Sequence, residues 1–297
     1  MKHPRPARAV GLLAIGSLLL ATGCADNLTG SGMPTTRASS SLPPIEASQE
    51  LFAKLPADIQ KSRRIVVGNS PTYKPVEFLE GGKTAGLDVD LFEAVGDRLG
   101  VEVEWKQSPF DQILIGIQAR KYDVGVSAFT VTKEREKSVT MVSYLSAGSL
   151  WAVAKGNPQQ LEQGKPCGRT IAVQTGTVQE AEMKAAQAGC GSNRINLLSF
   201  TDQGEATAAL VSGRAQAIAA DSPIALYAIK MSGDKIEQLG ESYDAAPYGV
   251  VVPKAQTEFA EAIRQAFDDV RASGHYDQVL AEWGQADGAI DSFQVNP

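Results

Sequence analysis

From Arg64 onward, short β-rich runs alternate with helical periods, and the alternation restarts after Asn157-Pro158. No other feature restricts the fold of this chain as tightly. Residues 64–68 predict a buried strand, 89–99 carry Leu91, Phe92, Val95 and Leu99 on one helical face, and 101–105 alternate with a period of two. A helix over 111–119, with Ile113, Leu114 and Ile117 inward, leads to a strand over 123–127. The second series reads strand 170–174, helix 178–188, strand 194–199, helix 204–212 and strand 216–220, then a helix opened by Pro223 after Asp221. Such an order implies an α/β architecture, with mostly parallel sheets flanked by helices. A strand over 248–252 follows, then an amphipathic helix from Thr257 bearing Phe259, Ile263, Phe267 and Val270, a stop at Gly274, and a short helix with Tyr276, Val279, Leu280 and Trp283. Periodicity leaves open which series this tail packs against.

The chain starts differently. Lys2, Arg5 and Arg8 precede an apolar run over 10–21, and Cys24 follows it. The run is shorter than the roughly 20 residues that span a bilayer, so 1–23 reads as an export signal. Leu20-Ala-Thr-Gly-Cys24 resembles a lipobox, in which the cysteine is acylated and becomes the new N-terminus; here Ala21 stands where Leu is usual, with Leu20 one step further out. Lipidation of Cys24 is therefore expected, the alternative being ordinary cleavage that leaves a free thiol. Asn27 to Pro44 is dominated by Ser, Thr, Gly and Pro and shows no apolar period, and a flexible tether over 24–59 is expected. A coil of some 24 residues spans roughly 25 to 30 Å, which would hold the folded body at the outer face of a membrane. Loss of the signal also makes the chain more acidic than its overall net charge of −6, which argues against a nucleic-acid partner.

Cys167 and Cys190 remain. In an oxidising compartment a disulfide is the default, and a strand out over 170–174 and a helix back over 178–188 would return the chain near its start. A metal or redox pair would need CxxC spacing or nearby histidines, and the sequence has neither. His275 is the single histidine outside the signal segment, so histidine-dependent nucleophilic chemistry has little to build on. No phosphate-binding glycine loop occurs, and no cofactor or metal is expected.

Several segments together resemble the bacterial extracellular solute-binding protein family 3, receptors of polar amino-acid ABC importers. They are Pro71-Thr-Tyr-Lys-Pro-Val-Glu-Phe78, Gly86-Leu-Asp-Val-Asp-Leu91, the run from Tyr122 through Ser127-Ala-Phe-Thr130 to Arg135, Val173-Gln-Thr-Gly-Thr-Val-Gln-Glu180, and the tail from Phe259 to Trp283. The resemblance covers about 63–285 in family order. It implies a two-lobed periplasmic-binding-protein fold of type II, in which two mostly parallel sheets flanked by helices are joined by two hinge strands near 149–155 and 248–254. Lobe 1 would be discontinuous, 60–150 plus 251–288; lobe 2 would be 151–250, and 289–297 a C-terminal tail.

The same resemblance implies a site between the lobes. A buried α-carboxylate needs donors of matching strength, and a guanidinium fork meets both oxygens at once; Arg135 is the candidate, with Thr130 adding a hydroxyl and the backbone at Ser127 and Ala128 accepting from the ammonium. Without the family, Arg135 in Lys-Glu-Arg-Glu-Lys reads as a solvated helical charge. Thr177 and Val178 stand at a helix start, where N–H groups favour an anion, although Thr177 serves equally as a plain N-cap. Asp221, at a strand end, would pair with the α-ammonium; taken alone it reads as an N-cap before Ser222-Pro223. Tyr73 and Phe110 match ring positions beside the ligand, and otherwise Phe110 is core. Ser70 stands where receptors for basic amino acids tend to be acidic, which points to a polar or acidic ligand such as glutamine, glutamate, asparagine or aspartate. The expectation is a monomeric, non-enzymatic binding protein that delivers its amino acid to an ABC permease. The alternatives are a sensing subunit of a membrane signalling system, and an exported dehydratase of the same fold, for which no cleft carboxylate beyond Asp221 is evident.

Overall fold

A computed structural model describes residues 42–297. The signal segment, Cys24 and the first part of the tether lie outside the described residues. The folded body nevertheless begins earlier than a tether boundary at 59 allows. Two short helices, α1 (Gln49–Ala53) and α2 (Ala57–Ser62), lie at that end, and the Ser48 hydroxyl caps the first by accepting from the Leu51 N–H at 3.3 Å. Leu51, Leu55 and Ile59 recur every fourth residue and enter the main core, a spacing that the small polar residues upstream of them conceal.

The first series runs β1 (Arg64–Asn69), β2 (Thr72–Tyr73), β3 (Glu77–Glu80), β4 (Lys83–Ala85), α3 (Leu87–Leu99), β5 (Glu102–Gln107), α4 (Phe110–Gln118), β6 (Val124–Gly125), α5 (Lys133–Glu136) and β7 (Val139–Ala154). The second runs β8 (Thr170–Gln174), α6 (Val178–Ala186), β9 (Asn196–Phe200), α7 (Gln203–Val211), β10 (Ala217–Asp221), α8 (Ser222–Met231) and β11 (Ile236–Pro253), and the tail holds α9 (Thr257–Ala272) and α10 (His275–Glu282). Strands β5, β1 and β6 are mutually parallel, as are β10, β8 and β9. Between these groups lie β11 and β7, so hydrogen bonding continues in the order β5-β1-β6-β11-β7-β10-β8-β9.

These two middle strands make the molecule two-lobed. β11 meets β6 at Val251↔Gly125 on the first lobe, whereas β10 pairs with Ser149 to Val153 of β7 on the second. Both strands therefore serve both lobes and cross between them. Their mutual pairing, regular at the two ends, breaks register between Leu239 and Tyr243, between Tyr243 and Ala246, and between Tyr248 and Gly249. Interrupted ladders bend more readily than continuous ones, and the interruptions sit at the crossing. The full lengths of β7 and β11, 16 and 18 residues, exceed the runs that alternation alone marks.

The tail returns to the first lobe. Phe259, Ile263, Phe267 and Val270 of α9 join Leu91, Phe92 and Val95 of α3 in one core, each such side chain contributing about 1.5 to 3 kcal/mol by burial. The chain's last residues follow it. Phe293 stacks on Phe267 with ring centroids 5.1 Å apart, Val295 bridges to Val142, and Asn296 exchanges hydrogen bonds with Met141 on the side of β7 away from β11. The segment around 293–296 is thus laid along the edge of β7 through one isolated β-bridge and its flanking hydrogen bonds. In the second lobe, Cys167 and Cys190 form the expected disulfide; closure of a loop of that size stabilises by roughly 3 kcal/mol in the chain-entropy view.

Candidate functional site

The loops at the carboxyl ends of β1, β6, β8 and β10 face one another across the gap between the lobes. Every residue expected at the site lines one cavity there: Ser70, Tyr73, Phe110, Ser127, Ala128, Thr130 and Arg135 from the first lobe, and Thr177, Val178 and Asp221 from the second. Glu77, Gln174 and Gln179 complete the lining. The walls are close, leaving about 10 Å³ that would admit a water-sized sphere, so a guest of amino-acid size enters only when the lobes part.

On the first lobe, Ser127 and Ala128 follow β6, and Ala128 has φ +48°, a left-handed conformation uncommon for a residue with a side chain. What holds it is the Asp88 carboxylate, which accepts from the Ala128 N–H at 2.9 Å. Arg135 reaches back from α5, donating to the Thr130 carbonyl at 2.6 Å and, across the gap, to the Gly176 carbonyl at 3.0 Å. Its guanidinium carbon lies 5.6 Å from the centre of the Phe110 ring and 5.4 Å from that of Phe129, and these rings stack on each other. Arg135 is therefore not a solvated helical charge. Burial lowers its pKa to about 10, with Asp221 and Tyr73 opposing.

On the second lobe, Thr177 does cap α6: its hydroxyl accepts from the Glu180 N–H at 3.2 Å and donates to the Gln174 carbonyl at 2.7 Å. Asp221 does not cap α8 with its side chain. Its carboxylate accepts instead from the Gln179 amide and the Tyr248 hydroxyl, both at 2.7 Å. Burial raises the Asp221 carboxyl, while Tyr248, Gln179, Tyr73 and the Arg135 charge hold it down.

Glu77 is the residue that sequence reasoning leaves without a role. The hairpin of β2 and β3, too short for periodicity to mark, pairs Tyr73 with Glu77 and delivers both to the wall. Glu77 is 1% exposed and accepts hydrogen bonds from the Ser127 hydroxyl and, at 3.3 Å, from the Asn69 amide. This corrects the expectation that Asp221 is the sole cleft carboxylate. The reason is local: Glu77 lies in a strand of four residues whose neighbours Phe78 and Leu79 suggest no enclosed pocket. Gln179, two residues into α6, escapes notice in the same way, since a glutamine after an N-cap carries no signal of burial.

The model of the bacterial extracellular solute-binding proteins, family 3, matches residues 65–286. The arginine-binding protein ArgT of Corynebacterium glutamicum is 32% identical over 252 residues, spanning 83% of this chain and 83% of that protein. Among solved structures, an ancestral arginine-binding protein bound to arginine matches with a TM-score of 0.70 at 32% identity, covering 74% of this chain and 97% of that one. The ancestral amino acid-binding protein AncCDT-1, a precursor of cyclohexadienyl dehydratase, matches with a TM-score of 0.69 at 29% identity over 76% of this chain and 97% of its own.

Proposed function

The chain belongs to the bacterial extracellular solute-binding proteins, family 3, and we propose that it holds an amino acid with a cationic side chain, arginine foremost, between its lobes and delivers it to a membrane ABC transporter. The family is extracytoplasmic and works with such transporters. Anchoring through an acylated Cys24 is part of the same reading.

Arg135 provides the cation for the α-carboxylate. Two of its N–H donors are committed to Thr130 and Gly176, which fixes the plane of the fork and leaves its other donors for the ligand. Asp221 faces it from the other lobe as the partner of the α-ammonium. A zwitterion therefore satisfies both walls only when they are together, and this difference in binding between open and closed forms drives closure.

The observation that carries the side-chain specificity is Glu77. A buried acid on the wall of the same cavity gains a counter-charge only from a cationic side chain and offers an acidic one none, so the polar or acidic ligand suggested by Ser70 is replaced by a basic one. The acid absent at Ser70 is supplied from β3 instead. The relatives named for arginine support this reading.

Thermal shift and calorimetry of the protein lacking residues 1–41 test it with arginine, lysine, glutamine and glutamate. At 100 times its dissociation constant a ligand stabilises by about 2.7 kcal/mol. Arginine should give the largest shift and glutamate none; a preference for glutamate would refute the proposal. The role is binding without turnover, so arginine recovered after incubation should be chemically unchanged.

A further inference from the structure

Two carboxylates lie buried beneath the proposed side-chain site, and the cavity touches only one of them. Glu77 and Asp88 are 1% and 0% exposed. They converge on consecutive residues: Glu77 meets the Ser127 hydroxyl and Asp88 meets the Ala128 N–H. Their remaining oxygens accept from the Asn69 amide and, at 2.7 Å, from the Tyr144 hydroxyl. All four partners are neutral. Among the described residues, no lysine, arginine or histidine forms an ion pair with either acid.

The titratable groups around the pair add no positive charge either. Tyr144 faces it from β7 and Tyr73 from β2, both with hydroxyls that stay protonated because burial and the nearby carboxylates raise them. Arg135 is directed to Thr130 and Gly176, and its charge acts on Asp221. Two adjacent negative charges in such a setting cost more than neutral donors return, and like charges sharing a site do not both ionise.

We propose that Glu77 and Asp88 hold one proton between them and release it to bulk water when a cationic side chain arrives at Glu77. The only bond broken is the O–H bond of the shared proton. The guest brings one positive charge and the proton removes one, so the buried charge is conserved. Burial is the main cause that raises Glu77, with Asp88 adding to it, and burial brings Asp88 to about 7; the pair therefore keeps a proton at a pH where an exposed carboxyl has lost its own. This inference rests on the arginine reading of the site and deepens it, since an acidic or neutral guest would leave the proton in place.

Two measurements separate the inference from that reading. In the ligand-free protein at pH 6, infrared difference spectra against Glu77→Gln and Asp88→Asn should show the carbonyl band of a neutral carboxylic acid; its absence in both overturns the proposal whatever the ligand. Calorimetry of arginine binding in phosphate and in Tris at the same pH should give enthalpies that differ by the release of about one proton per arginine. As pH rises above the ordinary carboxyl range the dissociation constant should tighten by up to about tenfold per pH unit, and it should level off once the ligand-free pair has lost its proton. Tight arginine binding with a buffer-independent enthalpy and a flat pH profile refutes the exchange while leaving the arginine reading intact. Tyr144→Phe provides a milder perturbation should Asp88→Asn fail to fold: it should move the pH midpoint upward, because the ionised acid loses a donor.

Discussion

The Arg135 guanidinium of the first lobe donates to the Gly176 carbonyl of the second at 3.0 Å. One side chain thus touches both walls, and the residue proposed to recognise the α-carboxylate also helps hold the walls together. Arg135→Ala should weaken arginine binding by about 3 kcal/mol or more, in line with loss of charged hydrogen bonds. Arg135→Lys should recover little, because an ammonium cannot present the two-pronged fork. Isothermal titration calorimetry measures both, and unchanged affinity in the alanine variant would remove Arg135 from the site.

Gly176 itself has φ +84°, and a Cβ there would meet the Asp111 Cβ at 3.0 Å and the Phe110 ring at 3.5 Å. Alanine would strain the backbone and wedge α6 away from α4. Gly176→Ala should therefore weaken arginine binding about tenfold, a cost of about 1.4 kcal/mol, and shift small-angle scattering of the liganded protein toward a more open form. A liganded profile identical to that of the unaltered protein would show that the gap tolerates the methyl.

Acidity should stabilise the ligand-free protein over part of its range. Glu77, Asp88 and Asp221 all have carboxyls raised in the fold by burial, so the folded state binds more protons than the unfolded one. The stability these groups contribute is fully present below their unfolded pKa values near 4 and is lost as pH rises through the folded values, about 7 for Asp88. Urea unfolding should show stability falling by about 2 to 4 kcal/mol between pH 5 and 8, and Asp88→Asn should flatten the decline.

Truncation before Ser292 should be costly. It removes Phe293, which contacts Phe267 and Tyr276 at ring separations of 5.1 and 5.2 Å, together with the pairing of residues 294–296 to β7. Loss of a buried phenylalanine alone amounts to about 3 to 5 kcal/mol, so the midpoint of thermal unfolding should fall by many degrees. Exposure of the β7 edge should promote concentration-dependent association, readable by light scattering.

Much of this is legible in the residues. Apolar spacing marks α3, α4 and α9 because each buries one broad stripe, and the alternation of strand and helix carries the parallel half-sheets. The two-lobed form comes from the resemblance, since no local pattern states that β7 and β11 cross a gap. Arg135, Thr130 and Asp221 likewise gain their place from family order, and the geometry gathers them around one cavity. Glu77 stays hidden because its burial depends on Ser127, Asn69 and Asp88, residues 8 to 50 positions away in the chain. Helices α1 and α2 pass for tether because composition upstream of Ser48 masks an apolar spacing of only three positions, Leu51, Leu55 and Ile59.

Both ends of the described chain are built into the same lobe, Leu51, Leu55 and Ile59 at the start and Phe293 at the finish. Among the described residues the other lobe holds neither chain end, and the backbone enters and leaves it through β7 and β11. In a protein tied to a surface by its N-terminus, the first lobe would be the fixed jaw and the second the one that swings. Whatever docks on the swinging jaw would register the guest's arrival as a displacement, while whatever docks on the fixed jaw would register only that the receptor is present.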